Sequence, residues 1–377
     1  MSTETYKQPY DRMILVVVFL LLGLGTIMLY SASSIIGAER YGSSSFFLQK
    51  HAIRLFFGLI VMFVMMRFDY HLLRKYSPLL FMGSILLLLF TLGFYWSRGI
   101  NTPARWLPLG FFSLQTSDIA KFTIVVYLAA YISQRQDAMR EFKHGLLPAI
   151  LMIGLCVGLI VVQPDFSTAV TIGMIAFFLL YLGRAKVWHL LAILAVFAVV
   201  AASVVMTSPY KRARVETFLH PQSDVSDSGY QIKQSLVSLG NGGLLGMGLG
   251  DSYEKNLFLP EPHTDFIFAI IGEELGFIGT TIVLFLFLLL FLQSLRIARQ
   301  APDLFGMYLA AGLSVTIFLY AALHAGVVTG VFPTTGLPLP FMSYGGSQLV
   351  TSLGCIGVIL NISRQRTVTG EQGGVWA

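Results

Sequence analysis

About ten separate apolar runs, each close to the roughly 20 residues a helix needs to cross a bilayer, limit what this chain can become. They fall at about 13–33, 51–67, 77–97, 117–133, 145–162, 166–183, 187–207, 265–294, 303–330 and 341–362 of the 377 residues. Hydrophobic residues make up 55% of the chain and charged ones 12%, against about a quarter charged in a soluble domain. Lipid is the solvent in which that much apolar surface costs little, and there the backbone must satisfy its own hydrogen bonds as helix. The expected fold is therefore an all-α polytopic membrane protein, residues 1–377 forming a single membrane domain.

The formal net charge is +6, yet the Lys and Arg residues sit in short clusters between apolar runs. That is the distribution of charges flanking membrane helices, so no nucleic-acid partner is expected. With the N-terminus inside, the cytoplasmic segments hold Lys7, Arg12, Arg67, Arg74, Lys75, Arg135, Arg140, Lys143, Arg184, Lys186, Arg296, Arg299, Arg364 and Arg366. The short outside loops keep only Arg40, Lys50, Arg98 and Arg105. Both termini are then cytoplasmic, and the segment 208–264 is a long extracytoplasmic loop between the seventh and eighth helices. The first run is too long for a cleaved signal and reads as a retained helix. Residues 370–377 read as a disordered tail, and Cys156 and Cys355, inside apolar runs, as small core residues.

Four polar sets are expensive at membrane depth and need a reason to be there. Asp118 and Lys121 are three positions apart, so they share a helix face and pair, either as a buried structural pair or in a cavity where Lys121 meets an anion. Gln163-Pro-Asp165 breaks two apolar runs, and Asp165 reads either as a helix cap or as a site residue. In Leu259-Pro-Glu-Pro-His-Thr-Asp265 the long loop enters the membrane, with Thr264 or Asp265 as the expected N-cap; Glu273 and Glu274 follow about 12 Å deeper, where capping cannot explain them. Pro333 to Ser347, with three prolines and Gly336, Gly345 and Gly346, cannot be regular helix and is expected to be buried or to line a wet cavity around Ser343. The run 265–294 exceeds one crossing and should tilt or extend. The segment Gly240 to Gly250 is glycine-rich but lacks the surroundings of a phosphate loop, and reads as a flexible loop.

At these residues the chain resembles the SEDS family (shape, elongation, division and sporulation), from the first helix to the last. The most specific stretch is Leu259 to Gly276; next come Gly336 to Ser347, Tyr30-Ser-Ala-Ser33 and Ala104-Arg-Trp106. Tyr230 to Gly240 and Lys255 to Pro260 look more like the division-type FtsW branch than the elongation-type RodA branch. The chain departs from the family pattern at Thr116-Ser117-Asp118 (usually Pro-Ser-Glu), Ser167 (usually Gly), His324 (often Asn) and Gln348 (often Ser).

The resemblance implies a bacterial inner-membrane glycosyltransferase that polymerises lipid II, an inverting transfer from an undecaprenyl-pyrophosphate-linked donor. It implies a class B penicillin-binding protein as partner and, in the division branch, divisome proteins and a place at the septum. A sugar hydroxyl needs a general base, and Asp265, at the outer face, is the carboxylate expected in that role. The objection is its helix N-terminus, which would lower its pKa. Arg105, Lys121, the Lys211-Arg212-Arg214 cluster or a divalent cation, Mg or Mn, would balance the leaving pyrophosphate. Asp118, Gln163, Asp165, Glu273 and Ser343 complete the expected substrate-binding set. The rival expectation is a flippase that moves lipid II without making bonds.

Overall fold

The computed structural model describes residues 9–97, 105–108, 113–219, 227–255 and 258–365, without the side chains of 209–211, 217, 219 and 227–228. The expected tail at 370–377 lies outside them. The chain forms α1 (Arg12–Tyr41), α2 (Phe46–Arg67), α3 (Tyr70–Ser97), a hairpin of β1 (Trp106–Pro108) and β2 (Ser113–Gln115), and α4 (Thr116–Gln134). There follow α5 (Leu147–Val162), α6 (Phe166–Leu182), α7 (Val187–Thr207), α8 (Pro209–Leu219), α9 (Asp227–Gly242), α10 (Ile267–Arg299), α11 (Leu304–Val328) and α12 (Gly346–Arg364). A π-helical turn, Phe142–Leu146, leads into α5.

Eight of these helices are long and apolar enough to cross a membrane. They are α1, α2, α3, α5 with its π turn, α7, α10, α11 and α12. The other two of the ten expected runs are α6, apolar but only 17 residues, and α4, which carries Asp118 and Lys121 in its first turns. Each run of the sequence thus has its helix. Three begin with carboxylate caps: Asp11 accepts from Ile14 N at 3.2 Å, Asp165 from Thr168 N at 3.4 Å and Asp303 from Gly306 N at 2.9 Å, each filling an orphan donor of a helix start.

Burial separates centre from rim. The apolar window of α12 is 89% buried and that of α11 is 83% buried, whereas that of α7 is 6% buried. So α11 and α12 form the middle of the bundle, while α7 packs on α6 and turns most of its surface to lipid. Around the centre α12 packs on α2, α10 on α11, and α3 on α4. The two cysteines are buried and unpaired.

One long run is not one helix. At Gly276 the backbone of α10 is non-helical, with φ 69° and ψ −168°. The break leaves carbonyls without partners on one side and N–H groups on the other, which is intolerable in a buried place unless something replaces them. The glycine-rich segment after α9 does so. Met247 N donates to Glu273 O at 2.9 Å and Gly248 N to Glu274 O at 3.1 Å, while Phe277 N donates to Gly243 O at 2.9 Å and Ile278 N to Leu244 O at 3.2 Å. A Cβ at Gly246 or Gly276 would collide with backbone of the other segment. The flexible loop expected at 240–250 is therefore a closely fitted plug, and the extra length of the run is a short helix before the break at Gly276.

The long loop has structure of its own. α9 lies on α10 and α11: Ser238 Oγ donates to Ala269 O at 3.1 Å and Ser235 Oγ to Val328 O at 3.0 Å. Residues 331–345 are irregular and largely buried, as their prolines require.

Candidate active site

Pro260 and Pro262 keep the end of the loop out of helix, and Tyr344 N holds it from the far side by donating to His263 O at 2.8 Å. The helix therefore starts late. Its N-cap is Phe266, without a side-chain cap, and Thr264 Oγ1 turns back to Glu261 instead. The expected capping by Thr264 or Asp265 is corrected: Asp265 stands just before the cap and satisfies no helix donor there.

Asp265 lines a small recess, about 20 Å³ in volume, together with Arg214, Gln231, His324, Thr334 and Gly336. Gly336 has φ +66°, and a Cβ there would stand 3.3 Å from Asp265 Oδ2, so glycine lets the proline-rich segment close over the carboxylate. Burial pushes the Asp265 carboxyl up to about 6 from 3.8, helped by the negative Glu261 and opposed by the cations Arg214 and Arg105. Desolvation thus outweighs two guanidinium groups.

Arg214 Nη1 donates to Thr334 O at 3.1 Å, which fixes α8 to the same segment. Arg105 donates to Pro164 O. Arg212 pairs with Glu216 at 2.8 Å on an exposed face, and the Lys211 side chain lies outside the described residues. His324 is 1% exposed. Its Nδ1 is 2.8 Å from Leu337 O, an acceptor only, so Nδ1 carries the proton. Nε2 is left without a partner. A neutral ring with that tautomer presents Nε2 to the recess as an acceptor.

Other expected residues gather one layer away. Lys121 Nζ is 3.0 Å from Asp118 Oδ1 and 3.9 Å from the Tyr320 ring centre, and Ser347 Oγ donates to Asp118 at 2.6 Å. Neither charged residue is among those lining the Asp265 recess. Asp165, besides capping α6, accepts from Gln115 Nε2 and Ser117 Oγ, each at 2.9 Å. Gln163 Nε2 donates to Leu88 O at 2.9 Å. Ser343 Oγ accepts from Leu339 N at 2.8 Å, shaping the turn. These contacts join the outer ends of α4, α6 and α12.

Glu273 and Glu274 latch the loop. Glu273 accepts from Ser238 Oγ at 3.0 Å, Tyr253 N at 3.1 Å and Ser252 Oγ. Glu274 pairs with Lys255 at 2.9 Å and accepts from Ser31 Oγ. Both carboxylates are buried, and neither lines the Asp265 recess. The sequence reading missed Gln231 and Thr334 in the recess and Lys255 in the latch; no spacing singled them out.

Among the described residues no three His, Cys, Asp or Glu side chains gather as a metal site. The positive charge acting on Asp265 is that of Arg214 and Arg105.

The family described as cell cycle protein, FtsW/RodA/SpoVE, matches residues 11–368. The chain belongs to that family. A probable peptidoglycan glycosyltransferase FtsW of Geobacter sp. (strain M18) is 38% identical over 360 residues, covering 94% of this chain and 97% of that protein. Stage V sporulation protein E of Bacillus subtilis (strain 168) is also 38% identical over 360 residues, covering 96% and 98%. Among solved structures of the FtsW/RodA/SpoVE fold, rod shape determining protein RodA of Thermus thermophilus has a TM-score of 0.70 at 27% identity, over 95% of this chain and 97% of that one. A chain from a structure described as coordinating polymerization and crosslinking in a peptidoglycan synthase complex has a TM-score of 0.78 at 27% identity, over 96% and 99%. This FtsW/RodA/SpoVE member is thus a multi-pass bacterial membrane protein.

Proposed function

We propose that this chain is a peptidoglycan glycosyltransferase that polymerises lipid II, with Asp265 as the general base. The FtsW and SpoVE relatives support the reaction class. The observation that carries the assignment of the base is the half-buried Asp265 carboxyl, pushed up to about 6 beside two arginines. A base works best with a pKa near the working pH, and burial has moved this one toward it.

The acceptor's 4-hydroxyl oxygen attacks the donor's anomeric carbon while its proton passes to the Asp265 carboxylate. The bond from that carbon to the pyrophosphate oxygen breaks, its electron pair leaves with undecaprenyl pyrophosphate, and the configuration inverts. Arg105 and Arg214 stabilise the charge on the leaving group. A divalent cation, Mg or Mn, would add to that positive charge. His324 Nε2 accepts from a sugar hydroxyl or amide and so orients the substrate. A flippase would need polar groups along its whole crossing, whereas Asp265, Arg105, Arg214 and Glu261 sit together at one end.

The partner is a class B penicillin-binding protein that crosslinks the new strand. The site faces outward, both termini are cytoplasmic, and the FtsW-like segments favour septal synthesis with divisome proteins. Purified protein with its matched partner, given labelled lipid II, should yield a ladder of glycan strands and a lower rate without the partner. Lipid II crossing vesicles with no strand formed would sink this reading.

A further inference from the structure

A second cavity opens beside the first, between the end of α1, the start of α2 and the 259–264 turn. Its cavity volume is about 670 Å³, and Arg40, Tyr41, Phe47, Glu261, His263 and Tyr344 line it. Thr264 faces this cleft whereas Asp265 faces the recess. A single turn of chain is thus the wall between them.

The lining is aromatic with polar groups between the rings. Phe47 stands edge-on to Tyr344 at 5.1 Å and 4.4 Å from the His263 ring, while Tyr41 stacks on Phe46 at 3.8 Å. His263 is only 5% exposed, yet its Nδ1 has no hydrogen-bond partner. Burial lowers its pKa, and that nitrogen is a buried polar atom without the partner it needs. A groove for lipid tails would have no use for Arg40, Glu261 and an unpartnered imidazole. Ring faces alternating with hydrogen-bonding groups suit a sugar, with its apolar C–H faces and hydroxyl edges. The volume exceeds one monosaccharide, and the cleft is open.

We propose that this cleft is a saccharide site that holds an already formed N-acetylhexosamine chain beside the Asp265 recess. The identity of the sugar rests on the glycosyltransferase reading; the cleft's geometry does not. The strand would lie against Phe47, Tyr41 and Tyr344, with His263 Nδ1 and Arg40 bonding its hydroxyl and acetamido groups.

The probe is chitotetraose, a soluble β-1,4 chain of N-acetylglucosamine, titrated into detergent-solubilised full-length protein by saturation-transfer NMR. It should bind the wild type and Asp265→Asn alike. Tyr41→Ala and His263→Ala should each weaken it about tenfold, the loss of one stacking or hydrogen-bonding partner. Tyr41 is 54% exposed, so its substitution leaves the fold intact. With lipid II, both variants should make shorter strands than the wild type. Absence of saturable binding, equal binding by all variants, or displacement by glycerol phosphate, which would mark a lipid-headgroup site, overturns the proposal. An Asp265→Asn protein that still polymerises would remove the base assignment alone, because binding in the cleft is measured separately.

Discussion

Asp265 ties the chemistry to pH. A base must be deprotonated, so polymerisation should rise with pH through about 6 and level off above it, as measured by initial rates across a buffer series. The native carboxyl holds its proton to higher pH than its ordinary 3.8. Its contribution to stability is therefore full below that value and is lost as pH rises through about 6. Lys121 should behave differently. Lys121→Ala leaves Asp118 buried without its cation, and breaking such a pair costs about 3–5 kcal/mol. Thermal unfolding in detergent should show that loss, and the double variant Asp118→Asn, Lys121→Met should recover much of it. A fully stable Lys121→Ala with slowed polymerisation would instead return Lys121 to the site. The pairing of these two was legible from their spacing. The freedom of Asp265 from capping was not: Thr264 and Asp265 are both good cap residues, and what delays the helix is a bond from Tyr344, remote in sequence.

Among the elements, α10 departs most from its sequence. Its apolar pattern runs straight through Gly276, because both halves are apolar and periodicity does not register a break. Glu273 and Glu274 looked functional for a sound reason, their cost at depth, but their partners come from a loop with no periodic signal. Glu273→Ala would leave Ser252 and the Tyr253 N–H without their acceptor, at about 1–3 kcal/mol for each orphaned group. Chymotrypsin should then cut at Leu244, Leu245 or Tyr253, which are 71%, 79% and 62% exposed, much faster than in the wild type. Unchanged protection would contradict the latch. Gly276→Ala, at a positive φ and against the plug's backbone, should lower the yield of folded protein.

For the whole molecule, the ten runs and their order were legible because each crossing is written in a row of apolar residues that lipid makes obligatory. The arrangement of the helices was not, since α7, the more apolar of the two, lies at the rim while the less apolar α12 is buried at the centre. Orientation rests on the basic residues. Tyr253→Cys should react with a membrane-impermeant maleimide in intact spheroplasts, and Lys143→Cys only after permeabilisation; the reverse pattern would invert the topology. The central claim is that a base at 265 makes glycan strands. Asp265→Asn keeps the side chain's size, and no helix cap depends on it, so the protein should fold, insert and bind its partner. Loss of general-base help costs about 10²–10⁴-fold in rate. The deciding measurement is the rate of strand formation from labelled lipid II by folded Asp265→Asn with its partner present. The account predicts a fall in that range or below detection; a rate near wild type would contradict it.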